Sequence, residues 1–151
     1  MMKKNKLNIA IIGLGNIGSY LYKYLQINKK ILSKKNNCVP DVIYVSAKNK
    51  NKKRNIKINK KKWLKNYLDA TKSEEVDIII ELIGGAEGAA KKLVFSALRN
   101  KKHVVTANKA LIAKYGDQLS KIAEENNVNL EFEAAVCGGV PIIRSLKEGL
   151  I

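Results

Sequence analysis

Apolar residues along this chain follow two rhythms, short unbroken runs and stripes at helical spacing, and the two alternate. Residues 7–12 read as a buried strand, and residues 17–27 as a helix with Ile17, Leu21, Tyr24 and Leu25 on one side. Pro40 and Asp41 punctuate the next strand, residues 42–45, and residues 63–70 read as a short helix. Residues 76–83 make a strongly apolar strand that ends at Gly84-Gly85. Residues 86–100 are helical, with Ala90, Leu93, Val94 and Leu98 on the buried side. A short strand over 103–106, a helix over 109–126 and a strand over 128–134 follow. Gly138-Gly139-Val140-Pro141 then opens a last helix. Strands separated by helices, with runs rather than clean polar alternation, predict an α/β fold: a doubly wound, mostly parallel sheet with helices on both faces.

A length of 151 residues makes one ordinary domain, residues 1–151, and 46% hydrophobic content supplies its core. No stretch approaches the ~20 apolar residues that span a bilayer. No charged-then-apolar leader is present either, so no membrane partner is expected. Cys38 and Cys137 stand far apart without metal-ligand spacing, which favours reduced thiols and a cytoplasmic setting. The net charge of +16 raises nucleic acid as a partner. Against it, lysine, asparagine and isoleucine are all abundant, as an AT-rich coding sequence produces. Aromatic residues make up only 6%, without the basic–aromatic interleaving of single-strand binders. Nucleic acid is therefore the weaker reading. The densest charge lies over residues 48–65, a solvated loop and helix edge unless an anion uses it.

Between the first strand and the first helix stands Gly13-Leu14-Gly15-Asn16-Ile17-Gly18, a G-x-G-x-x-G in the strand–turn–helix context of a dinucleotide site. That context makes the expected sheet Rossmann-like. Gly13 permits the tight turn, Gly15 lets the backbone approach a pyrophosphate, and Gly18 lets the helix pack closely on the strand. The pyrophosphate then sits at the helix N-terminus, where free N–H groups and the dipole favour negative charge. The bland alternative is a glycine-rich turn without a ligand. In open α/β sheets, ligands bind beyond the carboxyl ends of the strands. Residues 13–18, 83–85 and 106–109 all fall at such ends and are expected to converge on one crevice.

Three longer segments carry a resemblance. Glu81-Leu82-Ile83-Gly84-Gly85, Lys102-His103-Val104-Val105-Thr106-Ala107-Asn108-Lys109-Ala110-Leu111, and Glu133-Ala134-Ala135-Val136-Cys137-Gly138-Gly139-Val140-Pro141-Ile142-Ile143 resemble homoserine dehydrogenase. The V-V-T-A-N-K segment followed by E-A-x-V-x-G-G-x-P is specific to that family. The resemblance covers essentially the whole chain but only the first part of the family. Family members continue with a substrate-binding and dimerisation domain that these residues do not match. The resemblance implies an NAD(P)-dependent oxidoreductase that interconverts aspartate semialdehyde and homoserine, on the route to threonine and methionine. The cofactor carries the hydride, and the protein supplies orientation and charge. It also implies that the small-molecule substrate binds only with the missing domain, which a separate chain supplies if the enzyme is split. The chain alone is expected to be inactive.

Lys109 is the catalytic candidate: it follows a strand end, begins a helix in the crevice and matches a family lysine that also contacts the cofactor. An ammonium there steadies a developing alkoxide, or passes a proton if burial lowers its pKa. Otherwise it is one more solvated lysine. Gly13, Leu14, Gly15, Asn16, Ile17 and Gly18 form the expected cofactor cradle. Ile83 and Gly84 border the nicotinamide or simply make a turn. Thr106 and Asn108 hydrogen-bond the nicotinamide ribose or position Lys109, or they merely cap the helix that begins there, which Asn favours. By resemblance, backbone carbonyls of Glu133, Val136, Gly138 and Val140 hold sodium, a hard ion suited to oxygen ligands. A glycine-rich turn is the alternative, and Glu133 is expected to be buried with partners in either case. His103 reads as a partly exposed structural residue, and Cys137 as a packing residue.

NADP is expected over NAD. An NAD-selective site carries Asp or Glu at the end of its second strand to bind the ribose hydroxyls. Here that strand is followed by Ser46-Ala47-Lys48, with no acid until well past Arg54. Lys48, Lys50 and Arg54 are placed to surround a 2′-phosphate, or are merely solvated. Two other readings stay open. One is a stand-alone dinucleotide-binding or sensing module without catalysis, which the short length favours. The other is a different Rossmann dehydrogenase of an aspartate-derived substrate, against which the T-A-N-K segment argues.

Overall fold

A computed structural model describes residues 6–136, 138 and 140–149. In chain order its elements are β1 (Lys6–Ile12), α1 (Asn16–Ile27), α2 (Lys29–Asn36), β2 (Val39–Ser46), a 3-10 turn (Lys60–Lys62), α3 (Asp69–Lys72), β3 (Ile78–Glu81), α4 (Ala89–Arg99), β4 (His103–Thr106), α5 (Lys109–Glu125), β5 (Leu130–Glu131), α6 (Glu133–Val136) and α7 (Ile142–Gly149). The five strands form one sheet in the order β2-β1-β3-β4-β5. Every neighbouring pair is parallel. The order reverses at β1, so the carboxyl ends of β1 and β3 flank the switch point where such sheets bind ligands.

Successive residues of a strand face opposite sides, and the two sides bury different helices. Ala10, Ile12, Ile79 and Val104 pack with Leu93, Val94, Ala97 and Leu98 of α4 and Leu111 and Leu119 of α5. Ile9, Ile11, Val42 and Val45 pack on the other side with Tyr22, Leu21 and Leu25 of α1. Helices on both faces of a parallel sheet make the doubly wound, Rossmann-like arrangement that the sequence predicts. All four apolar residues expected on the buried side of α4 are fully enclosed.

Elsewhere the structure corrects the sequence reading. The apolar side of α1 is rotated: Gly18 and Tyr22 are buried, while Ile17 is 67% and Tyr24 43% exposed. The contact of Gly18 with the first turn sets this phase and turns Ile17 outward. β2 begins at Val39, before Pro40. As an edge strand it tolerates a proline, and a register shift opposite Ile9 and Ala10 lets it follow β1. Residues 63–70 do not form the expected helix. Trp63 bridges to Val45, and Leu64 N–H donates to the Val45 carbonyl at 3.0 Å. The Asn66 side chain then accepts from Leu68 N–H at 3.0 Å, a local turn that delays the helix to Asp69. The expected strand over 128–134 shrinks to Leu130–Glu131. Its two residues pair with Val104 and Val105 of β4, and the pairing does not continue to Thr106. Glu133 instead opens α6.

Candidate functional site

The turn after β1 is shaped by crowding. Gly13 has φ +112°, and a Cβ there would lie 2.4 Å from the Leu82 carbonyl oxygen. A Cβ on Gly18 would lie 2.1 Å from the Gly13 oxygen. Gly13 N–H donates to Ser46 O at 2.9 Å, which draws the end of β2 beside the turn. Gly15 differs: no atom lies within 4 Å of the place its Cβ would fill. It is the N-cap of α1 with no side-chain cap, and the first turn holds no acid. The first amides of α1 therefore open on free space, as an anion requires. Within this turn Leu14 is buried, whereas Asn16 and Ile17 are exposed.

Ile12, Glu81 and Thr106 stand side by side at the carboxyl ends of β1, β3 and β4. Glu81 is fully buried. Its Oε1 accepts from Ile83 N–H at 2.6 Å and Gly84 N–H at 3.1 Å, and its Oε2 accepts from the Thr106 hydroxyl at 2.5 Å. Thr106 Oγ1 in turn accepts from Asn108 N–H at 3.1 Å. Asn108 caps α5 by accepting from Leu111 N–H at 3.1 Å, and its amide donates to the Gly85 carbonyl at 2.7 Å. The three expected segments therefore do converge, the second and third through side chains. The structure confirms the capping reading of Asn108. The sequence reading did not single out Glu81 as a site residue. An acid at the end of the run Ile78-Ile79-Ile80, two residues after a core isoleucine, was the available signal.

Lys109 occupies the first position of α5, directly after this cap. It is exposed and makes no hydrogen bond or ion pair among the described residues. Lys48 is exposed just beyond β2. Arg54 is committed elsewhere. Its Nε donates to the Leu14 carbonyl at 2.8 Å, and its other nitrogens donate to the carbonyls of Lys52 at 2.8 Å, Asn49 at 2.8 Å and Lys50 at 3.3 Å. Arg54 and Lys50 both lie 5.6 Å from the centre of the Trp63 ring. Arg54 thus pins the basic loop to the glycine turn.

Glu87 extends the turn after β3. It accepts from Lys114 at 2.7 Å, from the Tyr115 hydroxyl and from Lys91 at 3.4 Å. The Lys114 bond foremost, with that of Tyr115, holds its carboxyl down to about 2. His103 is half-buried, and its Nδ1 accepts from Asn129 N–H at 3.0 Å, a structural role as expected. Glu133 is only half-buried, and its carboxylate accepts from Ile143 N–H at 3.0 Å at the start of α7. Val136, Gly138 and Val140 are exposed, and the Val140 carbonyl accepts from Ile142 N–H at 2.9 Å. Cys137 lies outside the described residues. Among the described residues, no helix is long and apolar enough to cross a membrane.

Fold and turns define a Rossmann-like α/β domain. A family model described as "Homoserine dehydrogenase, NAD binding domain" matches residues 13–133, and the chain belongs to that family. It is 41% identical over 144 residues to a homoserine dehydrogenase of Bacillus subtilis, covering 95% of this chain and 33% of that protein. It is 38% identical to one of Neisseria gonorrhoeae, covering 95% of this chain and 32% of that protein. A homoserine dehydrogenase structure from Thiobacillus denitrificans superposes with TM-score 0.85 at 35% identity, over 99% of this chain and 34% of that one. The chain thus spans about a third of the length of the relatives it matches.

Proposed function

We propose that this chain is the cofactor-binding part of a homoserine dehydrogenase, an oxidoreductase that interconverts aspartate semialdehyde and homoserine with NADP in preference to NAD. The observation that carries this is the meeting of three strand-end turns beside the open cradle at Gly15. Residues 13–18 would hold the pyrophosphate, with Lys48 near the ribose of the adenosine half. Ile83, Gly84 and Thr106 would border the nicotinamide half. When bound, the dinucleotide supplies or accepts the hydride. Lys109 holds an ammonium against the oxygen that turns from carbonyl to alkoxide. A cation at a helix N-terminus opposes the dipole by about 0.3–1 kcal/mol, so stability alone does not favour Lys109 there. NADP preference is supported by the absence of an acid after β2 and by the exposed Lys48 there, although Arg54 is engaged with backbone carbonyls.

The backbone oxygens of Glu133, Val136, Gly138 and Val140 are the proposed sodium ligands, at the turn between α6 and α7. The substrate needs a wall facing the nicotinamide within near-attack distance. The remaining two thirds of the relatives' length is the source of that wall, in the same polypeptide or in a separate one. Two cysteines far apart in sequence, without metal-ligand spacing, fit a cytoplasmic setting.

The test is turnover. Residues 1–151 alone are expected to oxidise no homoserine at saturating NADP, and to gain activity when joined to the remaining two thirds of the Bacillus relative. In the joined protein, Lys109→Ala should lower kcat about a hundredfold or more while the thermal midpoint holds or rises slightly. Robust homoserine oxidation by the 151 residues alone, or a joined Lys109→Ala variant within a few-fold of wild type, would contradict the proposal.

A further inference from the structure

The geometry points to Glu81 as a positioning residue for the nicotinamide half of the cofactor, an inference that rests on the cofactor reading above. Burying an acid is costly, and an apolar residue would complete the run Ile78-Ile79-Ile80 at lower cost. The two amides that Glu81 receives do not need it for satisfaction. Ile83 is 41% exposed and Gly84 is exposed, so water could serve both N–H groups. What the carboxylate supplies is conformation. Gly84 and Gly85 follow at φ +84° and +81°, and neither has an atom within 4 Å of the place its Cβ would fill. Two consecutive glycines in open space retain more conformational freedom than any other pair. Glu81 fixes their entry from below.

The same carboxylate closes a ring. From Glu81 the path runs to Ile83 and Gly84, along the backbone to Gly85, to the Asn108 amide, to Thr106 Oγ1, and back to Glu81 Oε2. Every one of the three hydrogen bonds at Glu81 is donated to it, so it acts purely as an acceptor. Glutamine could keep the ring, its oxygen accepting from the two amides and its nitrogen donating to Thr106 Oγ1, whereas methionine has a similar size and no oxygen to accept either side. Glu81→Met therefore opens the ring without emptying the space. The ring sets the spacing between the wall for the nicotinamide and the cap that seats Lys109.

Two measurements test this on the 151-residue chain. Hydrogen exchange on the wild-type chain should show the Ile83 and Gly84 amides protected about tenfold or more over Gly85, whose N–H makes no hydrogen bond among the described residues. Calorimetry with NADPH and with ADP-ribose 2′-phosphate, which lacks the nicotinamide, separates the two halves of the site. Wild type should bind NADPH more tightly than the truncated probe. In Glu81→Met that ratio should fall about tenfold, while the Kd for the truncated probe stays within about twofold. Unprotected amides, a wild-type ratio near one, or equal weakening of both probes overturns the inference. Failure of wild type to bind either probe overturns the cofactor reading itself, and the inference with it.

Discussion

At the end of β1 the chain is held by crowding, and at the end of β3 by a side chain. Gly13 and Gly18 press against backbone oxygens, so only the absence of a Cβ lets that turn close. Gly84 and Gly85 stand in open space and depend on Glu81 and Asn108 to fix them. Both turns look alike in sequence, as glycines after an apolar run. The first is rigid because it is packed sterically on backbone, Gly13 against Leu82 and Gly18 against Gly13. The second is held by side chains, Glu81 just before it and Asn108 from a distant turn, and the proposed reading sets it beside the nicotinamide half of the cofactor. A rigid anchor and an adjustable wall suit a cofactor whose two halves do different jobs.

The sharpest break of this contrast is Gly18→Ala. Its Cβ would meet a backbone oxygen at 2.1 Å, so α1 must move off β1, and we expect a loss of about 4 kcal/mol or more. That is a large share of an ordinary domain's stability. Gly84→Ala should cost far less, about 1 kcal/mol, because only its left-handed backbone is strained. Urea unfolding of both variants checks the pair, and equal losses would remove the distinction between the turns. The smallest effect concerns Glu87, which extends the second turn. Its folded pKa of about 2 lies below its ordinary 4.5. Its contribution is therefore present above about pH 4.5 and fades as pH falls toward 2. Glu87 is exposed to solvent, so screening keeps the effect small. The thermal midpoint of Glu87→Gln should sit slightly below wild type at neutral pH and converge with it near pH 2. A gap that persists undiminished at that pH would exclude the ionic link.

The same contrast explains what was legible in the sequence. The parallel sheet, α4, the glycine turn and the position of Lys109 follow from local rules: apolar runs, helical spacing and the steric demands of glycine. Glu81 was not legible as a hub, because its partner Thr106 lies 25 residues on and is brought beside it only by strand register. Arg54 reads as a phosphate ligand in sequence, yet its donors are taken by the carbonyls of Leu14, Asn49, Lys50 and Lys52. The helix expected at 63–70 lost to a tertiary contact, the bridge from Trp63 to Val45. The rotation of α1 shows the converse. One small residue, Gly18, set a helix phase that keeps Leu21 and Leu25 packed but turns Ile17 and Tyr24 outward.

The central claim is that the turn after β1 is a cradle for a dinucleotide rather than a turn that happens to be rich in glycine. Gly15→Ala tests it most directly, because its Cβ would meet no protein atom within 4 Å and would fill only the space assigned to the pyrophosphate. Calorimetric titration of wild type and Gly15→Ala with NADPH and NADH, with thermal midpoints measured in parallel, decides it. The account predicts equal midpoints, tighter binding of NADPH than NADH by wild type, and at least a tenfold loss of both in the variant, about 1.4 kcal/mol. Unchanged affinity in a folded Gly15→Ala variant would contradict it.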